Sequence, residues 1–225
     1  MVTEYGENTS PIVRNDLFGR LDIYSTFDAI TPDNIVEELN SALTYHVQNM
    51  LQEEFLYWYR RGVQPILNRR KEVREDILNK VQENHADEFT AFKNGYFLTQ
   101  PAYYVARKRG KQRVLKELNE YLYRSGKHEA DNKTVDWFHM VGKGVTYVEP
   151  SEEEGVPFKA YALDPRCAFV AVSSDPSARP VYGGYMVKEG DEIRVSLWDD
   201  RHVLGLHSDD GCLALGRYLM PVNLL

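Results

Sequence analysis

Two pairs of side chains have the spacing that metal-assisted or acid–base chemistry uses. His85 with Glu88, and Asp136 with His139, stand three residues apart, which on a helix puts both members of a pair on one face. If the two helices faced each other, four donors could converge on a divalent cation, as in helical carboxylate–histidine centres. That would be the chemistry of a metal-dependent nuclease. The spacing also arises by chance, and Trp137-Phe138-His139-Met140 reads more simply as core packing with one hydrogen-bonded imidazole. A second chemistry is phosphate binding by Arg107, Lys108, Arg109 and Lys111, long cationic side chains grouped around Gly110. The competing reading is a solvated hairpin turn, or a contact between subunits. The phosphate-cradling patterns GxxxxGK[ST] and GxGxxG do not occur, nor do HExxH, CxxC or GxSxG, so nucleotide and standard hydrolase chemistry have no motif here.

The elements that must position these residues can be read from periodicity. Residues 1–30 are polar and irregular, with isolated Leu17, Phe18, Leu21 and Ile23, and are expected to form a flexible arm that orders on a partner. Thr31-Pro32-Asp33 has the hydroxyl, proline and acid of a helix start. Ile35, Leu39, Leu43, Val47, Met50, Leu51, Phe55 and Trp58 then recur at helical spacing until Gly62. At about 1.5 Å per residue this helix is roughly 40 Å long. Asp76 can cap a second helix, with the stripe Ile77, Val81, His85, Phe89 and Phe92, and Pro101 ends it. Ala102–Val105 predicts a short strand. Val114 to Leu122 predicts a third helix ending at Ser125-Gly126, and residues 130–141 a fourth, broken by Gly142 and Gly144.

Beyond Gly144 the texture becomes that of strands, over 145–148, 158–163, 168–172, 181–187, 193–198 and 202–206, separated by Gly-, Pro- and Asp-rich turns. Helices followed by hairpin-length strands predict an α+β fold: long N-terminal helices, then an antiparallel or mixed sheet. The expected organisation is an arm over 1–30, a helical part over 31–142 and a β-rich part over 143–225.

Composition narrows the class. The chain has 225 residues, 43% of them hydrophobic, enough to bury one large core or two small ones. No apolar run approaches the roughly 20 residues of a membrane span, and the start MVTEYGENTSPIVRND lacks the basic and apolar regions of a signal peptide. Cys167 and Cys212 are far apart and outside any CxxC, which favours two reduced thiols over a disulfide or metal site. Net charge is -7, unevenly spread: two Arg against ten acids in residues 1–56, 14 Lys and Arg against six acids in 57–116, and an acidic remainder. The basic middle permits a nucleic-acid-binding module. Solvated helix faces and a turn, or charge complementarity between subunits, are the favoured reading, because most charge clusters without interleaved aromatic platforms are surface.

One stretch is more definite. Tyr59, Gly62, Gln64 and Ile66 form a Tyr-x-x-Gly-x-Gln-x-Ile turn after an aromatic helix end, and Asn79, Lys80, Asn84 and His85 follow a basic segment. An amphipathic run then closes on Gly95, Tyr96 and Pro101. Further along come Leu118-Asn119-Glu120-Tyr121, Asp136-Trp137-Phe138-His139 before Gly142 and Gly144, Leu163-Asp164-Pro165-Arg166, and Pro180-Val181-Tyr182-Gly183-Gly184. Their order and spacing over residues 40–205 resemble the portal proteins of tailed bacteriophages, in the siphophage branch of Gram-positive hosts. Thr99 departs from the pattern by standing where a glycine is expected, so that turn is expected to be built differently.

The resemblance implies a closed ring of about twelve identical subunits at one capsid vertex. Double-stranded DNA would pass through it, driven by the terminase large subunit, and the major capsid, scaffolding and head-completion proteins would be its partners. It implies a structural, non-catalytic protein with no cofactor and no membrane, found in the virion and, during assembly, in the host cytoplasm. The matched part resembles the wing of such a subunit. Family members are about twice as long, with stem, clip and crown following a segment that Leu215-Gly216-Arg217 and Pro221-Val222 faintly resemble. A truncated prophage gene, a fragment or a split portal is therefore the expectation.

Overall fold

In a computed structural model the described residues are 20–69, 73, 76, 79–107, 111–189, 192–200, 203–208 and 222–224. The first described element is a strand, β1 (Ile23–Ser25), followed by the long helix α1 (Ile35–Arg60) and a short 3-10 turn at Pro65–Asn68. Helices α2 (His85–Phe97), α3 (Gln112–Arg124) and α4 (Lys127–Val141) come next. Seven strands follow among the described residues: β2 (Val145–Pro150), β3 (Phe158–Leu163), β4 (Ala168–Ser173), β5 (Pro180–Glu189), β6 (Glu192–Trp198), β7 (Val203–Ser208) and β8 (Val222–Leu224). The fold is α+β, as the order of periodicities predicts.

Six strands form one sheet in the order β1-β4-β5-β6-β7-β8, and β2 with β3 forms a separate hairpin. Neighbours in the large sheet are antiparallel, except that β1 lies parallel to β4, with Ile23 opposite Ala171. The first half of α1 covers this sheet. Ile35, Leu39, Ala42 and Leu43 are 1% exposed or less and share a core with Phe169, Tyr182, Val195, Leu197 and Leu206. Burying a side chain of that size contributes about 1.5–3 kcal/mol. Helix α4 packs against β2 and β3 on one side and α1 and α2 on the other, which joins the hairpin to the rest.

The paired glycines of β5 are a packing requirement. A Cβ on Gly184 would stand 2.3 Å from Cζ of buried Phe169 and 2.8 Å from Cδ2 of buried Leu197. Neither neighbour has free space to retreat into, so Gly184→Ala should cost about 1–3 kcal/mol. Urea titration with an unchanged m-value would show it. A loss under a few tenths of a kcal/mol would mean that Phe169 can move.

Several sequence expectations need correction. Residues 20–30, expected within an arm, carry β1 and two core side chains, Ile23 at 5% and Ile30 at 1% exposure. Residues 1–19 lie outside the described residues. Helix α1 starts after Asn34, not at Thr31: the Asn34 carboxamide accepts from the Thr31 N–H at 2.7 Å and donates to the Ala29 carbonyl at 3.0 Å. The second helix begins at His85, because residues 79–84 are tied to the end of α1 by side-chain hydrogen bonds and are not helical.

Ala102–Val105 is not a strand in a sheet. The Asn119 carboxamide on α3 substitutes for a neighbouring strand, accepting from the Tyr104 N–H at 2.8 Å and donating to its carbonyl at 3.0 Å. At the departure from the family pattern, the Thr99 hydroxyl donates to the Gly95 carbonyl at 2.8 Å and also reaches that of Tyr96 at 3.2 Å, closing α2 without a glycine.

Candidate functional site

The buried face of α1 changes chemistry halfway along. After Leu39 and Leu43 the same stripe continues as His46, Asn49 and Glu53, which are 0%, 4% and 2% exposed. Buried polar groups persist only when their partners are also present. Asn49 accepts from the Leu21 N–H at 2.9 Å and donates to the Leu21 carbonyl at 2.8 Å, fixing the chain just before β1. His46 Nε2 lies 3.1 Å from the Arg166 carbonyl. A carbonyl can only accept, so Nε2 carries the proton, and Nδ1 is buried without a partner among the described residues.

Glu53 pairs with Lys143 across 3.2 Å, with side-chain exposures of 3% and 14%. Burial pushes the Glu53 carboxyl up and the Lys143 amine down, while each partner's charge pulls back. Lys143 also donates to the Pro165 carbonyl at 3.0 Å. Burial and the Lys143 charge together lower His46 to about 4.

These contacts converge on the turn Asp164-Pro165-Arg166. Asp164 accepts from the Arg166 backbone at 2.9 Å, from its Nε at 3.0 Å and from its terminal nitrogen at 2.6 Å. The guanidinium lies over the Tyr57 ring at 4.0 Å and the Trp137 ring at 5.5 Å, and the two rings stack with centroids 5.7 Å apart. One turn between β3 and β4 is thereby tied to α1 and α4.

The end of α1 is held by the other half of the sequence motif. Gly62 has φ 89, a left-handed conformation that favours glycine. Its carbonyl accepts from Gln82, Gln64 donates to the Glu83 carbonyl at 2.9 Å, and Asn84 donates to the Arg60 carbonyl at 2.7 Å. Lys80 donates to the Leu67 carbonyl. Gly62, Gln64, Lys80 and Asn84 thus meet in one place, while Tyr59 touches the Phe55 ring and Ile66 sits half-buried in the 3-10 turn. Asn79, Pro101, Arg107 and Lys111 are exposed, and Gly95 and Tyr96 face solvent on α2. Lys108 and Arg109 lie outside the described residues. Asn84→Ala removes one capping bond and leaves the Arg60 carbonyl short of a donor, so a loss of about 1 kcal/mol is expected. Thermal melting checks it, and an unchanged midpoint would show that water replaces the amide.

The paired donors do not form one cation site. Asp136 receives Arg60 at 2.7 Å and the Asn94 amide, and His139 Nδ1 is 2.7 Å from the Asn94 carboxamide oxygen. His85 lies elsewhere on α2, exposed between Glu88 at 3.0 Å and Glu83 at 2.8 Å, chiefly the first of which raises its pKa. Among the described residues no three His, Cys, Asp or Glu side chains gather to hold a metal ion. Two arginines of the basic middle are also committed internally: Arg60 bridges Asp87 and Asp136, and Arg61 lies over Tyr57 at 4.4 Å.

Periodicity of apolar residues overlooked His46, Asn49, Glu53 and Lys143. The signal was present: positions 39, 43, 46, 49 and 53 keep helical spacing, but the last three are polar. Leu51 and Trp58, expected on the core stripe, are 45% and 38% exposed instead.

The arrangement locks α1 and α4 to the Asp164-Pro165-Arg166 turn. No helix among the described residues is long and apolar enough to cross a membrane. No curated protein matches the chain. The family model described as phage portal protein, SPP1 Gp6-like, matches residues 37–215, which takes in nearly all of α1, the motif junction, the Asp164-Pro165-Arg166 turn and strands β2 to β7. The chain belongs to this family of phage portal proteins, structural components of the viral capsid.

Proposed function

We propose that this chain is a subunit of the portal ring at the capsid vertex, through which double-stranded DNA is packaged and ejected and to which head-completion proteins attach. The family match over residues 37–215 carries this reading. The segments 31–142 and 143–225 are the helical and β-rich parts of its wing. The terminase large subunit, the major capsid protein and scaffolding protein are its partners, in the host cytoplasm during assembly and at the virion vertex afterwards. A net charge of -7 suits a conduit, because a wall that gripped phosphates would slow the passage of DNA. The protein acts by assembly, not by catalysis.

The test is the native mass by light scattering on a sizing column, with negative-stain images of any large species. Rings with a central hole are expected. A clean monomer or dimer of the 26.0 kDa chain would refute self-assembly into a ring by this polypeptide. A DNA-binding module would instead bind duplex DNA with a steep salt dependence that Arg107→Ala with Arg109→Ala flattens.

A further inference from the structure

Helix α2 adds almost nothing to the apolar core. All 13 of its residues are described; Thr90 alone is buried, Ala86 and Asn94 are half-buried, and the rest face solvent. The Thr90 hydroxyl is satisfied within the helix, on the Ala86 carbonyl at 2.7 Å. The large apolar side chains Phe89, Phe92, Tyr96 and Phe97 are 66% to 82% exposed. Helix α1, by contrast, buries Ile35, Leu39, Ala42 and Leu43 against the sheet. Hydrophobic burial holds α1 and contributes little to the docking of α2.

What fixes α2 is a polar contact centred on Asp136 of α4. Its carboxylate accepts from Arg60 Nη1, at the end of α1, at 2.7 Å, and from the Asn94 amide on α2. A carboxylate only accepts, so the Asn94 amide nitrogen points to it and the carboxamide oxygen turns to His139. Nδ1 of His139 therefore carries the proton of that 2.7 Å bond. Arg60 also reaches Asp87 of α2 at 3.1 Å, and Phe97 meets the His139 ring edge-on at 5.9 Å. The chain is anchored separately on either side of the helix. Gln64 and Asn84 tie residues 83–84 to the end of α1, and Asn119 ties Tyr104 to α3.

A helix of 13 residues is marginal in water by itself, and Gly95 in its interior weakens it further. Segments with few buried apolar contacts open at free energies well below that of the whole fold. We propose that α2 opens from the folded body as a unit, between its anchors at Asn84 and Tyr104, and that Asp136 is the latch that closes it. The opening is a property of the single chain and does not depend on the ring reading. The latch also responds to ionic strength. Asp136 and Asp87 are 39% and 56% exposed in side-chain terms, so salt screens their attraction to Arg60.

Amide hydrogen exchange on the full chain tests this, read at residues 91–97 of α2, along the buried half of α1, and in β5 and β6. In the wild type the α2 amides should exchange about a hundredfold faster than those of α1 and the sheet, or more. Asp136→Ala leaves Arg60 and Asn94 without their shared acceptor and should speed α2 by about another tenfold. Exchange in α1, β5 and β6 should stay within about twofold of wild type, because the body keeps its core. Asp136→Asn retains one acceptor oxygen and should fall between. Asn94→Ala breaks the latch from the α2 side and should match Asp136→Ala. Raising salt from about 0.05 M to about 0.5 M should speed α2 in the wild type and affect Asp136→Ala less. Wild-type α2 amides as slow as those of α1 would overturn the opening. Equal acceleration of every element by Asp136→Ala, or unchanged α2 exchange in both Asp136→Ala and Asn94→Ala, would overturn the latch.

Discussion

Lys143→Met should lower the unfolding free energy at pH 7 by about 3–5 kcal/mol, the usual consequence of stripping the partner from a buried charge. Glu53 is 3% exposed in side-chain terms and Lys143 is its ion-pair partner at 3.2 Å, so the variant leaves a carboxylate in a site that water does not reach. The same substitution deprives the Pro165 carbonyl of its donor. The deficit should depend on pH in a defined direction. The folded-state pKa of Glu53 is already raised by burial, and losing the lysine raises it further. An acid raised in the folded state is most favourable to folding below its unfolded value and loses stability as pH rises. The penalty of Lys143→Met is therefore largest at neutral pH and shrinks on acidification toward the ordinary carboxyl range. Glu53→Gln combined with Lys143→Met should recover most of the loss, because an amide has no charge to strand. Urea denaturation at two pH values, on the single and double variants, measures all three quantities. A single variant within 1 kcal/mol of wild type, or a double variant as unstable as the single, would show that Glu53 is already neutral in the wild-type protein.

Acidification from pH 6.5 to pH 4 should cost the wild-type chain about 3 kcal/mol relative to a His46→Leu variant. His46 drops from the usual 6.5 to about 4 in the fold, through burial first and the Lys143 charge second. Between those values the unfolded chain binds a proton that the folded chain refuses. The stability from His46 is thus complete above pH 6.5 and is lost as pH falls through 4. Geometry gives the same sign. Nε2 already donates to the Arg166 carbonyl, so a second proton would go to Nδ1, which has no acceptor among the described residues. Glu53 works in the opposite direction over part of this range, but it is present in both proteins and drops out of the comparison. Parallel stability–pH curves for wild type and His46→Leu would rule out the buried neutral imidazole.

The order of elements was legible because apolar spacing changes from helical to alternating near Gly144, and β2 to β7 fall where that change puts them, whereas β1 and β8 were not foreseen. Legibility failed wherever a side-chain amide did the work of main chain. Asn119 replaced a strand for Tyr104, Asn49 did the same for Leu21, and Asn34 and Asn84 moved helix starts by several residues. A carboxamide donates and accepts like a peptide group, and nothing in hydropathy announces which asparagine will do so. Ion pairs were hidden for a related reason. Glu53 and Lys143 are far apart in sequence, and only the fold makes them neighbours. The family motif residues were easier to recognise than to explain: Gly62, Gln64 and Asn84 meet at the end of α1, whereas Gly95 and Tyr96 are exposed on α2 and lend only their carbonyls, to Thr99.

The parallel pairing of β1 with β4 bears on how the chain is made. Ile23 and Ala171 are partners, yet about 150 residues separate them, and a ribosome adding about 5–20 residues per second takes on the order of 10 s to bridge that gap. Throughout that interval the first strand has emerged while its neighbour does not yet exist. Once β4 and β5 have paired as a hairpin, the open side of β4 is the part of the sheet most able to recruit a strand from another nascent chain. Three residues at the N-terminal end, drawn in by Asn49, seal that side. Loss of β1 should therefore register first as lower soluble yield during synthesis, before any change in the finished protein's shape.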